Sequence, residues 1–333
     1  MQWRQAIRLE GLDVARLIAI AAIVFVHSRQ SPELDRWGVI GTFGVPFYVF
    51  ASLYFQARAF NQNPNRPFFA YVVARFRRLY IPFLAWSVVY LVARDLKHLF
   101  IAGVPSVPIK VWQLWAGTSL QLWFLPLLLY AGLVGALLLQ FFGTDPRART
   151  VVIVVTAICG WFLATAPRPD WLNYVNQEEG VFFLQCWRAL PSVCWGLSLG
   201  WLLGFRRNEY LITPLVATSG ILLLAGTVGD QLAHGYSRLY RTLSGLGLLL
   251  ASLGPWHGPA VSAAARLGRL SYGVYLAHSL LIEGLQSIAN RFGVPHELWF
   301  DVATFAFGLG GSLALTWLLA RSRRTAWLIG DFR

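Results

Sequence analysis

Long apolar stretches separated by short polar segments set the pattern of this chain. About 20 mostly apolar residues cross a bilayer core. Stretches of that kind fall at 11–28, 38–56, 79–94, 119–142, 150–166, 181–204, 210–227, 239–254, 269–289 and 298–320. Each predicts a helix, because lipid offers no partner to backbone N–H and C=O groups and a helix satisfies them internally. The expected fold is therefore all-α: an integral membrane protein built as a single bundle of about ten transmembrane helices. Pro46, Pro126 and Pro191 fall inside windows, which bilayer helices tolerate where neighbours re-satisfy the freed carbonyl. No internal repeat or low-complexity linker interrupts residues 1–333, so one membrane domain is expected.

Composition strengthens this picture. Hydrophobic residues make up 56% and charged residues 13%, and mean hydropathy is +0.54. A soluble domain carries about 25% charged residues, so a soluble globular protein is excluded. The net charge of +13 would suggest nucleic acid in a soluble chain. Here the basic residues sit mainly in short loops, and positive-inside topology explains them without a nucleic-acid partner. With a cytoplasmic N-terminus, about three fifths of the 28 Lys and Arg residues fall in inside segments, as the positive-inside rule requires. Arg4, Arg8, Arg58, Arg66, Arg75, Arg77, Arg78, Arg206, Arg207 and Arg333 are among them. Acidic residues gather outside, at Glu33, Asp35, Asp95, Asp170, Glu178, Glu179, Asp230, Glu297 and Asp301. An even number of spans then puts both termini in the cytoplasm. Arg4 and Arg8 followed by the apolar run Leu17–Val26 have the outline of a signal peptide, but Asp13 and Arg16 enter the run and no cleavage site follows. It reads as the first span. Cys159, Cys186 and Cys194 lie in apolar stretches without metal-ligand spacing, and no metal is expected.

Ionisable residues inside spans are costly unless they are paired or face a wet cavity, so each marks a candidate site. They are Asp13, Arg16, His27, Arg188, His278 and Glu283. Arg16 and His27 bracket the first span. Eleven residues at 1.5 Å each separate them by about 16 Å, and almost three turns put them on one face. Asp13, one turn before Arg16, is placed to pair with it. Taken alone, His27 also fits an interfacial histidine, Ser52 a structural serine at a helix contact, and Trp123 an interfacial aromatic. Arg75, Arg77 and Arg78 fit either topology anchors or a phosphate clamp, since guanidinium forks grip phosphate oxygens. Tyr275 and His278 share a helical face. Glu283 is a candidate partner for Arg188. Trp112 and Trp115 fit interfacial anchors or stacking platforms for sugars.

Several of these residues fall into motifs. Arginine, ten residues, then histidine occupy span one; VPFYVFAS lies in span two; R-x-x-R precedes span three; LWFLP opens span four; SYGVYLAH lies in span nine. Together, from about residue 8 to 320, they resemble the bacterial membrane acyltransferase family three. The run LDVARL stands where the family usually reads LDGLRG, and Leu53 follows Ser52 where a glycine is usual. No SGNH-type esterase domain follows the spans, so a stand-alone member is expected.

The resemblance implies a ten-helix enzyme of the bacterial inner membrane. It would transfer an acyl group, acetyl most commonly, from cytoplasmic acyl-CoA to a hydroxyl of a saccharide, a lipid-linked saccharide or an exported polysaccharide. It would be allied to a polysaccharide biosynthesis or export system. By position His27 would be catalytic with Arg16 its motif partner, and Arg75 and Arg78, with Arg77 beside them, would hold the donor's phosphates. Asp13, Ser52, Trp123, Tyr275 and His278 would support them, with Ser52, Tyr275 or Trp123 as candidate oxyanion donors. General-base catalysis and an acyl-histidine route both fit. A glycan or small-molecule transporter or flippase is the alternative, because intramembrane charges and proline-broken helices suit transport too.

Overall fold

The computed structural model describes residues 10–31, 34, 36–65, 67–99, 110–173, 177–205 and 213–332, without the side chains of 36, 173 and 177–180. Arg4, Arg8, Glu33, Asp35, Arg66, Arg206, Arg207 and Arg333, and the side chains of Glu178 and Glu179, lie outside the described residues.

Twelve α-helices of eight or more residues account for most of the described residues, and no strand occurs among them. They are α1 (Glu10–Ser28), α2 (Gly44–Gln62), α3 (Phe68–Arg75), α4 (Ile81–Lys97), α5 (Phe124–Phe142), α6 (Pro146–Thr165), α7 (Gln177–Gly204), α8 (Pro214–His234), α9 (Arg238–Ser252), α10 (Pro259–Gly268), α11 (Ser271–Arg291) and α12 (Leu298–Arg321). A helix stands at every expected window. Among the described residues, seven stretches are long and apolar enough to cross a membrane: Glu10–Ser28, Trp37–Gln62, Phe68–Lys97, Leu120–Phe142, Pro146–Thr165, Pro214–His234 and Leu298–Arg321. Their outer faces carry exposed Phe69, Phe141, Leu215 and Phe162, the side chains that lipid rather than water accommodates.

The prolines act differently from the sequence-based expectation. A 3₁₀ segment, Arg36–Phe43, precedes α2, and another, Leu120–Trp123, precedes α5. Pro46 and Pro126 therefore stand in first turns, where the missing N–H costs nothing. Only Pro191 lies in a helix interior. The third span begins earlier than expected, at Phe68, and passes through a π-helical turn, Phe76–Tyr80, before α4. Pro82, next in line, has no N–H to donate to the carbonyl four residues back and clashes with it in a regular helix. A widened turn before it relieves that clash. Arg77 and Arg78 sit in this turn.

Helix α1 is the hub. It packs against α2, α9, α10, α11 and α12. Two close approaches fix it. A Cβ added to Gly268 would stand 1.7 Å from the Asp13 carbonyl oxygen, and one added to Gly44 would stand 2.7 Å from that of Ala19. Both neighbours are backbone, so only glycine fits. Ala15, Ala19, Ile20, Ile23 and Val24 of α1 are buried among these elements.

Candidate active site

At one end of α1 the Arg16 Nη1 donates to Asp13 at 2.8 Å. Asp13 is buried, and this pairing offsets the cost of placing a carboxylate there. The Arg16 guanidinium lies 5.4 Å from the centre of the Phe55 ring, and the Tyr48 hydroxyl donates to the Arg16 carbonyl at 2.8 Å. Arg75 reaches the same stretch of α2 from α3. Its Nη2 donates to the Ser52 hydroxyl and its Nε to the Tyr71 hydroxyl, each at 2.7 Å. Ser52 and Phe55 are three residues apart on α2, so Arg16 and Arg75 flank one helical face. Arg78, exposed on the π-helical turn, interacts electrostatically with both Arg75 and Arg16. Arg77 is exposed and takes part in none of these contacts.

His27 lies in the last turn of α1, about 16 Å further along the axis. Its ring meets His278 of α11 edge-on, with centroids 5.2 Å apart and planes at 61°. His278 is fully buried. Its Nδ1 is 2.7 Å from the Tyr275 carbonyl and 3.2 Å from that of Val274. Carbonyls only accept, so Nδ1 carries the hydrogen and Nε2 the lone pair, towards which the Ser279 hydroxyl donates at 3.2 Å. His278 thus presents a fixed ring to His27.

Between the two ends runs a row of rings. Phe124 is 6.4 Å from Tyr48 and 5.7 Å from Tyr275, and Tyr275 is 5.9 Å from His278. With Tyr48 bonded to Arg16, the row follows α1 from the arginines to His27. Trp123 packs edge-on to Phe124 at 5.9 Å and also lines a cavity of about 330 Å³ with Trp112, Phe182, Gln113, Thr118 and Ser119. The Tyr275 hydroxyl donates to the Gln121 carbonyl beside it.

Asp301 of α12 holds the chain just beyond His27. It is buried and accepts the Gln30 N–H at 3.0 and 3.1 Å, the Ser31 N–H at 2.9 Å and the Ser31 hydroxyl at 2.6 Å.

Several sequence-based placements change. Ser52, on α2, is bonded to Arg75 and so belongs with the arginines. The Tyr275 hydroxyl is committed to Gln121. Glu283 does not pair with Arg188: it lies in the field of Lys97, while Arg188 packs over Tyr236. Trp115 is exposed and is not part of the cavity lining. Asp301 counted as an exterior acid in the sequence. Its place one turn inside an apolar helix was the available sign. Tyr48 and Phe124 lay within quoted motifs without standing out, because an aromatic residue in an apolar run carries no polar signal. Among the described residues no cluster of metal-ligating side chains occurs.

No curated protein and no solved structure matches the chain significantly. A family model for an acyltransferase domain, that of acyltransferase family 3, matches residues 9–321. The matched region begins just before α1 and ends with α12, so it contains both ends of α1 and every element packed on them. This multi-pass membrane acyltransferase belongs to acyltransferase family 3.

Proposed function

We propose that the protein moves an acyl group, acetyl in the first instance, from cytoplasmic acyl-CoA to a hydroxyl of a saccharide or lipid-linked saccharide at the inner membrane of a bacterium. One observation carries the reading: arginines converge at one end of α1 and a buttressed histidine stands at the other, with a row of aromatic rings between. Arg16, Arg75 and Arg78 suit the phosphates of a CoA nucleotide, which guanidinium forks bind bidentately. The nucleotide is too large and charged to enter the bundle. Its thin, mostly uncharged pantetheine arm is not, and the row from Tyr48 to His278 gives it an apolar wall.

The thioester then lies at the level of His27. The imidazole takes the proton of the acceptor hydroxyl as that oxygen attacks the thioester carbonyl. The tetrahedral intermediate collapses with cleavage of the C–S bond, and the departing CoA thiolate recovers the proton from His27. General-base help of this kind contributes about 10²–10⁴-fold. The cavity at Trp123 and Trp112 suits a sugar, whose apolar face stacks on indole rings while its hydroxyls meet Gln113, Thr118 and Ser119. In this reading ten helices span the bilayer, α9, α11 and α7 joining the seven apolar stretches, and both termini are cytoplasmic. The whole chain acts as one domain.

Mass spectrometry of surface glycans tests the function. A strain lacking the protein loses one acyl mass per modified sugar, and the mass returns on complementation. Unchanged glycans, together with no binding of acetyl-CoA by the purified protein, would remove the proposal. An Asp35→Cys chain tests orientation: labelling from outside intact cells is expected, and labelling only after permeabilisation reverses it.

A further inference from the structure

A second group of guanidiniums stands where the proposed acyl transfer makes no use of it. Arg188 is on α7, and Arg238 and Arg241 are on α9. Arg241 is buried; its Nε donates to the Thr42 carbonyl at 3.1 Å and its Nη1 to the Tyr236 hydroxyl at 3.2 Å. The Arg188 guanidinium lies over the same Tyr236 ring, 5.4 Å from its centre. Arg238 lies over the Trp187 ring at 5.1 Å, donates from Nη2 to the Ala166 carbonyl, and interacts electrostatically with Arg188. Two buried donors face no partner: Nη1 of Arg238 and the indole N–H of Trp187.

Among the described residues, none of the three arginines has a carboxylate within 4.0 Å. Carbonyls and a tyrosine ring satisfy some of the donors but leave the charge uncompensated. Arg241 is buried while Arg188 and Arg238 are half-buried, and like charges gathered in such a place repel one another and are costly to hold without a counter-ion. An anion from outside the chain would offset them.

Its place is defined by Thr42. A Cβ added to the neighbouring Gly41 would stand 2.4 Å from the Ala22 carbonyl oxygen and from the Val26 side chain. The arginines therefore flank the last turns of α1, at the His27 end. Val26 lies ten residues from Arg16, about 15 Å along the axis, so this cluster is separate from the arginines at the donor end.

We propose that Arg188, Arg238 and Arg241 form an anion site that binds a phosphoester group at the His27 end of the bundle. One arginine fork suffices for a carboxylate, whereas three guanidiniums and an indole N–H suit the several oxygens of a phosphate. The same chemistry is offered by the phosphate that joins a saccharide to a lipid carrier and by a phospholipid headgroup. The site does not depend on the acyl-transfer reading. Where that reading holds, the site would anchor the charged part of the acceptor beside the base.

The test uses the full chain in detergent, carrying Arg75→Gln and Arg78→Gln to weaken phosphate binding at the donor end. Inorganic pyrophosphate and, separately, phosphatidylglycerol in mixed micelles are titrated against it. Saturable binding of at least one is expected. Arg188→Gln or Arg238→Gln should each weaken it by about tenfold or more, the loss of a charge-assisted hydrogen bond. Arg188→Lys, which keeps the charge but not the fork, should lose less. Pyrophosphate alone binding identifies a phosphate-linked solute or acceptor, and the lipid alone binding identifies a headgroup. Binding of neither by the parent chain, or binding unchanged in both Gln variants, overturns the site. Acetyl-CoA-dependent transfer is read in parallel preparations that retain Arg75 and Arg78, so its failure is scored separately.

Discussion

Asp301→Ala removes the carboxylate that holds the chain beyond His27. Three donors lose their acceptor: the N–H groups of Gln30 and Ser31 and the Ser31 hydroxyl. Gln30 is exposed, so its N–H can turn to water. Ser31 is 1% exposed, so its two donors are stranded. Hydrogen bonds to charged groups contribute about 1.5–3 kcal/mol each, which puts the loss at about 3–6 kcal/mol. Asp301→Asn keeps the shape and one acceptor oxygen but turns an amide N–H₂ towards a donor, so about half that loss is expected. The consequence for chemistry is separable from that for folding. His27 lies four residues before Ser31, and a displacement of about 1 Å at a reacting group costs on the order of 100-fold. Unfolding in detergent should report the first effect for both variants. Acyl transfer by the better-folded Asp301→Asn should report the second, with acyl-CoA affinity at the far end of α1 unchanged. Wild-type stability and wild-type transfer in Asp301→Ala would refute the reasoning.

Arg75→Ala should weaken acyl-CoA binding about tenfold or more, as a charged partner of phosphate is lost, and Ser52→Ala should weaken it less; equilibrium binding with a labelled donor reads both. Gly268→Val should destabilise the protein by about 1–3 kcal/mol or more, since its Cβ would meet the Asp13 carbonyl oxygen at 1.7 Å; a wild-type melting temperature in detergent contradicts this. Trp123→Ala should raise the acceptor KM while leaving donor affinity intact, because stacking of a sugar is lost; steady-state kinetics with the acceptor varied measures it.

The course of α1 was legible in the sequence because its two ionisable ends interrupt an otherwise apolar run. The same contrast marked Asp13 as a partner for Arg16, and the pair is present at 2.8 Å. Window positions were legible to within a few residues for most helices, yet α8 runs to His234, seven residues past its window. Gly226, Gly229 and Asp230 weaken the apolar run there without breaking the helix, whose backbone bonds are internal. What the sequence does not carry is pairing between distant elements. His27 and His278 are separated by most of the chain, and both look like isolated polar residues until α1 and α11 are packed together. Asp301 is likewise read as an exterior acid until the Gln30 and Ser31 N–H groups are brought to it. Ser52 shows the reverse: its motif position suggested the reaction centre, and only the reach of Arg75 across to α2 places it with the arginines.

We propose that His27 is the base at the far end of an arm held by Arg16, Arg75 and Arg78. Acyl transfer by purified His27→Ala, measured beside its acyl-CoA affinity, tests it most directly. Turnover is expected to fall by about 10²–10⁴-fold with donor binding and folding retained. Near-normal turnover, or donor affinity that falls in step with turnover, would contradict it.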